Sequence, residues 1–143
     1  MERISRTVYL LASSLFLVGV ALQVFLAGMV VVALRMGWSN HRDLGHSLAL
    51  PLLVMLVTAY LGKLSRGMKW FTWLLFAAYI IQADVLIFMR TSMPVAAAFH
   101  PVLALVDFSL AALLIYKTLE LVRAERQELK TSLNLEQVDK IGL

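Results

Sequence analysis

Cysteine is absent from the 143 residues, which excludes disulfides, thiolate metal sites and a cysteine nucleophile. Charge is scarce: Asp, Glu, Lys and Arg make up 15% of the chain, against about 25% in ordinary soluble domains. No HExxH, GxSxG, Walker or GxGxxG pattern occurs, so soluble-style hydrolase or nucleotide chemistry has no support. There are three prolines and three histidines. Hydrophobic residues fill the space instead, at 61% and a mean hydropathy of +0.82. This is the composition of an integral membrane protein in a lipid bilayer. The net charge of +4 does not point to nucleic acid, because the basic residues are scattered beside hydrophobic runs and belong to topology.

The apolar residues fall into four runs. A short basic head, MERISR, precedes the first, from Thr7 to about Leu34. It is well beyond the roughly 7–15 residues of a signal-peptide core and reads as a membrane helix long enough to tilt. A polar turn from Arg35 to about Asn40 follows, with Ser39 as the expected N-cap of the second helix. That helix runs to Gly62 and carries a kink at Pro51, which membrane helices tolerate. The basic turn Lys63 to Lys69 leads to a third run, Trp70 to Met89. Ser92 is the expected cap of the fourth, with Pro94 in its first turn. The fourth run, Val95 to Tyr116, passes without a break into a polar helical tail. Trp38, Trp70, Trp73, Tyr60 and Tyr116 sit near span ends as an interfacial aromatic belt. The fold expected is all-α: a four-transmembrane-helix up-down bundle over 1–120 with a helical extension over 121–143.

Orientation follows from charge. Ten Lys and Arg lie at the N-terminus, in the Lys63–Lys69 turn and after Tyr116, and three (Arg35, Arg42, Arg90) on the other side. The positive-inside rule then makes both termini cytoplasmic. All three histidines fall on the extracytoplasmic side of an inner (plasma) membrane.

Those histidines carry the chemical interest. Ser39 precedes His46 by seven residues and Ser92 precedes His100 by eight, so the two imidazoles are expected about 10–12 Å below their caps at 1.5 Å per residue. Helices two and four of an up-down bundle are diagonal across the core. His46 and His100 are therefore the expected pair, able to hold one flat ligand such as haem b from both faces. Gly45 and the alanines Ala96, Ala97, Ala98 and Ala104 supply room, and Arg35, Arg42 and Arg90 would meet the propionates. His41 is the weaker candidate, about 140° from His46 on a helical wheel. An irregular helix start would bring it into a three-histidine copper or zinc site, with Met89 or Met93 as a further copper contact.

Four polar residues fall within the spans: Gln23, Gln82, Asp84 and Asp107. Such groups are costly in a bilayer and face a partner, a cavity or a site; interhelical hydrogen bonding is the plain reading. Asp107, two turns below His100, is expected to reach Gln23 across the core, hold a proton or begin a proton path. Gln82 and Asp84 point about 200° apart at 100° per residue, so one of them faces the bundle centre.

QVFLAG at Gln23 to Gly28, HRDLGH at His41 to His46, Gln82 and the pair His100-Pro101 together resemble a family of small four-helix bacterial membrane proteins of unknown function. The resemblance covers about Leu10 to Tyr116 and leaves the tail outside. It implies the architecture and singles out Gln23, His41, His46, Gln82 and His100, but brings no activity. The layout is also similar to membrane b-type cytochromes, by arrangement rather than by motif.

Two functions from different classes follow. One is a haem b electron-transfer protein, not itself an enzyme, exchanging electrons between a quinone or membrane enzyme and an outer partner. The other is an accessory subunit, or homo-oligomer, of a larger respiratory or photosynthetic complex without its own cofactor. An outer-face copper or zinc site for metal handling stands as a third reading.

Overall fold

The computed structural model describes residues 1–34 and 37–141, all of its regular structure helical. Four helices are long and apolar enough to cross a membrane. We number them α1 (Glu2–Val31), α2 (Trp38–Leu61), α3 (Arg66–Phe88) and α4, whose one-turn start Pro94–Ala97 precedes the long segment His100–Ile141. Neighbours in the ring are α1 with α2, α2 with α3, α3 with α4 and α4 with α1, so α2 and α4 are diagonal. The chain runs up and down: Arg6, Gly62 and Glu125 meet at one end, and Gln23, His41, Gln82 and His100 at the other. We call these the terminal end and the hairpin end.

Each departure from a regular helix has a local cause. Pro51 cannot donate to the carbonyl of Ser47, and α2 is interrupted at Leu48, three residues earlier. Pro101 likewise cannot donate to Ala97, and Ala98–Phe99 is a turn. Within α3, Ile81–Val85 is a π-helical turn, the kind of insertion that often marks functional positions. The serine caps are not formed as expected. Gly37 and Met93 take the N-cap positions, and the Ser92 hydroxyl donates back to the Met89 carbonyl. Pro94 does occupy the first turn.

The core is built from the inward stripes of the four helices: Tyr9 and Phe16 from α1, Leu52 and Met55 from α2, Leu75 and Tyr79 from α3, Ala111 and Leu114 from α4. Tyr9 Oη and Thr72 Oγ1 lie 2.7 Å apart across the α1–α3 diagonal, and the Phe16 and Tyr79 rings meet edge to face. The outward faces are apolar as well, with Leu11, Leu15, Val18, Leu53, Val57 and Leu74 exposed. A helix that is apolar all round suits lipid on one side and packing on the other. The long segment of α4 has 42 residues, about twice the length needed to cross a hydrocarbon core of roughly 30 Å. Past the Arg6–Glu125 contact it is exposed from Arg126 to Leu135.

Candidate functional site

At the hairpin end the structure places His41, not His46, against His100. Their ring centroids are 6.1 Å apart and tilted by 57°. The reason lies two turns along α2. Leu48, seven residues after His41 and so nearly on the same face, packs so closely on α1 that a Cβ at Gly19 would stand 2.2 Å from Leu48 Cδ2. That contact turns His41 inward and His46, about 200° from Leu48, outward. His46 is exposed and lines an open groove of about 420 Å³ with Ala83, Asp84, Ile87, Phe88, Arg90 and Thr91. The depth argument that paired His46 with His100 fails because helix rotation was not part of it.

Both inward histidines are held in the same way. His41 Nδ1 is 3.1 Å from the backbone carbonyl of Gln23, and His100 Nδ1 is 2.9 Å from that of Gln82. A carbonyl accepts only, so each Nδ1 carries a proton, and in the neutral imidazole the lone pair is then on Nε2. Gln23 Nε2 donates in turn to the His41 carbonyl at 2.8 Å, and the His41 ring meets Trp38 edge to face. One turn further on, the Tyr79 hydroxyl donates to the Gly45 carbonyl at 2.7 Å, bracing α3 against the weak point of α2.

The two Gln–His pairs are related by an internal repeat. Eighteen residues separate Gln23 from His41 and Gln82 from His100, and a single offset of 59 maps the first pair onto the second. The same offset places several buried positions of one hairpin on buried positions of the other: Tyr9 on Met68, Ser13 on Thr72, Phe16 on Leu75, Gly19 on Ala78, Val20 on Tyr79. In α2 and α4 it pairs Leu48 with Asp107, Leu52 with Ala111, Met55 with Leu114 and Ala59 with Thr118. The halves are therefore pseudo-equivalent, and the histidines meet where they face each other. Aligning the serines hides this repeat; the equal Gln-to-His spacing displays it.

The remaining polar residues are distributed unevenly. Gln82 is half-buried, with its Oε1 buried and unpartnered like that of Gln23, whereas Asp84 is exposed on the groove. Asp107 is fully buried, and neither carboxylate oxygen has a hydrogen-bond partner. The expected Asp107–Gln23 bond is not made; Gln23 Nε2 donates to the His41 carbonyl, and both Asp107 oxygens are unpartnered. Arg42 and Arg90 are exposed at the hairpin end; Arg35 and Met36 lie outside the described residues. No group of three His, Cys, Asp or Glu able to hold a metal ion occurs among the described residues.

Gly45 fits tightly against this site. A Cβ there would stand 3.0 Å from Gln23 Nε2, whose amide is anchored on His41. Gly45→Ala is expected to lengthen or break that bond at a cost of about 1 kcal/mol. The check is the thermal midpoint in detergent. An unchanged midpoint in a Gln23→Ala background, where the amide is gone, confirms the route.

Residues 23–90 match a family described as a family of unknown function (DUF6220). The match takes in Gln23, His41, His46 and Gln82 and stops short of His100. No curated protein and no solved structure matches the chain.

Proposed function

We propose that this chain is a haem b-binding membrane protein that transfers electrons, in which His41 and His100 would hold the haem iron. The observation that carries the reading is the facing pair of imidazoles, each with Nδ1 fixed on a glutamine carbonyl. That second contact is the arrangement metal-bound histidines require, since it sets the tautomer and leaves Nε2 as the donor. With their ring centroids 6.1 Å apart, His41 and His100 would hold the haem iron between them. Two protein donors suffice for haem iron, whose other four ligands come from the porphyrin. A zinc or copper(II) site wants a third or fourth protein ligand, which favours haem over the bare-ion alternative.

Haem iron supplies reversible one-electron transfer when bound. The chain's own residues do the rest. Gln23 and Gln82 orient the imidazoles through their carbonyls, and the half-buried setting of both histidines limits water. Arg42 and Arg90 supply cations for carboxylate groups at the surface. By the distribution of Lys and Arg, the termini face the cytoplasm of a bacterial inner membrane and the site lies towards the extracytoplasmic face. Its electron partners would be a membrane quinone or enzyme on one side and an outer protein on the other.

The test is an absorption spectrum of protein purified in detergent after expression with ample haem, oxidised and then dithionite-reduced. A Soret band with sharp reduced α and β bands is expected. His41→Ala and His100→Ala are expected to lose it, and His46→Ala to keep it. Loss in His46→Ala with retention in His41→Ala would reverse the ligand assignment. A colourless protein sinks the haem reading and leaves the accessory-subunit function.

A further inference from the structure

Among the described residues, Asp107 is the one buried ionisable residue with no contact to explain it. It is 0% exposed, both carboxylate oxygens lack a partner, and it lies on α4 two turns from His100. Interhelical hydrogen bonding therefore does not account for it. Neither does packing, for which the internal repeat provides a control. The equivalent position in the first hairpin is Leu48, buried against Gly19. Asp107 has Ala78 as the counterpart of that glycine. A leucine fills this place in one half of the molecule, so the fold does not demand a carboxylate in the other. A charged carboxylate inside a membrane bundle costs several kcal/mol unless paired, so its presence here calls for a chemical role.

We propose that Asp107 is a proton-binding site of the bundle core, holding a proton as a neutral acid and exchanging it with the charge state of the His41–His100 site. The coupling rests on the reading of that pair as an electron carrier. When the site is reduced it takes up one electron, and the Asp107 carboxylate takes up one proton from solvent. On oxidation the electron leaves to the redox partner, the carboxyl O–H bond breaks and the proton returns to solvent, so the buried charge stays constant. Few other groups can take this role. Tyr79 on α3 is the ionisable group that senses the Asp107 charge, His100 lies two turns away along α4, and α1 has no ionisable residue between Tyr9 and its end at Val31. Asp84 is on α3 but exposed. Tyr79 is committed as a donor to Gly45.

Infrared spectroscopy of the full-length protein tests this, with Asp107→Asn and Asp107→Leu as variants. The wild type at neutral pH is expected to show a protonated-carboxyl band that is missing from both variants. In the oxidised-minus-reduced difference spectrum that band is lost on oxidation. Over the pH range in which Asp107 titrates, the midpoint potential is expected to move by about 59 mV per tenfold change in proton concentration, and to stay nearly level in the variants. Both variants are expected to melt no lower than wild type; should Asp107→Leu fail to fold, Asp107→Asn still decides. Absence of the carboxyl band overturns the proposal. A band indifferent to oxidation state, with a pH-independent potential in wild type, overturns the coupling and with it the role. A colourless preparation defeats the haem reading and the coupling that rests on it, and the carboxyl band with its loss in Asp107→Asn then decides by itself whether Asp107 holds a proton.

Discussion

Gly19→Val is expected to leave little folded protein, and a second change, Leu48→Ala, is expected to restore most of it. Even a Cβ at Gly19 overlaps Leu48 Cδ2 at 2.2 Å and crowds Cδ1 and Cγ at 3.3 Å. Leu48 is 6% exposed, so its side chain has little room to swing aside. Overpacking of this kind costs about 1–3 kcal/mol, occasionally more, and the two further methyl groups of valine place this case at the upper end. In a bilayer, close approach of helices is the main source of their association, because lipid tails are as apolar as leucine. Separating α1 from α2 by a side chain's width therefore removes much of what holds the first hairpin. The check is a double-mutant cycle on thermal midpoints in detergent. Strong coupling between the two positions is expected, and simple additivity defeats the account. The Gly19→Val variant is also expected to lose the His41–His100 arrangement, since the Leu48 contact sets the rotation of α2.

The second large effect is at the terminal end. Arg6 donates from Nε to the Gly62 carbonyl at 2.7 Å and pairs with Glu125 on α4. Glu2 joins the cluster through Arg6 and Lys63. The side chains of Arg6 and Glu125 are only 15% and 17% exposed, so this is not a surface pair of negligible worth. Arg6→Ala leaves Glu125 half-enclosed without its cation and the Gly62 carbonyl without its donor. Removing one partner of a buried pair costs about 3–5 kcal/mol; with this degree of exposure about 2 kcal/mol is expected. Arg6→Met combined with Glu125→Leu should recover most of the loss, as apolar replacement of both charges is often neutral. Thermal melting of the wild type and the two variants decides, and equal melting of the single and double variants counts against an uncompensated charge. Gly62 belongs to the same joint: a Cβ there would meet the Thr58 carbonyl at 2.9 Å and Arg6 Cγ at 3.1 Å.

These two joints show where reading along the chain stops. The Arg6–Gly62 and Arg6–Glu125 contacts link three helices, and no spacing within one helix points to them. The Gln–His pairs are different. Their equal separation of 18 residues was present in the chain, but matching the hairpins on Ser39 and Ser92 led to His46 instead of His41. The serines turned out not to be caps, because α2 starts at Trp38 and α4 has its own irregular first turn. The choice between Gln82 and Asp84 rested on a regular helical wheel, whereas the chain there is a π-turn. Gln82 faces in and Asp84 out, an outcome the wheel left open.

What the sequence by itself determined is local or one-dimensional. Four apolar runs of membrane-crossing length give four helices, because buried backbone groups in lipid must be satisfied within each span. Proline places the interruptions at Leu48 and at Ala98–Phe99, because it lacks an N–H. The histidines' position at the hairpin end follows from their distance along the runs. Only the tertiary structure decided which imidazole turns inward. That depends on the rotation of α2 about its axis, and the rotation is set by Leu48 seated on Gly19 and by Tyr79 bonded to the Gly45 carbonyl, contacts between residues 29 and 34 positions apart in the chain.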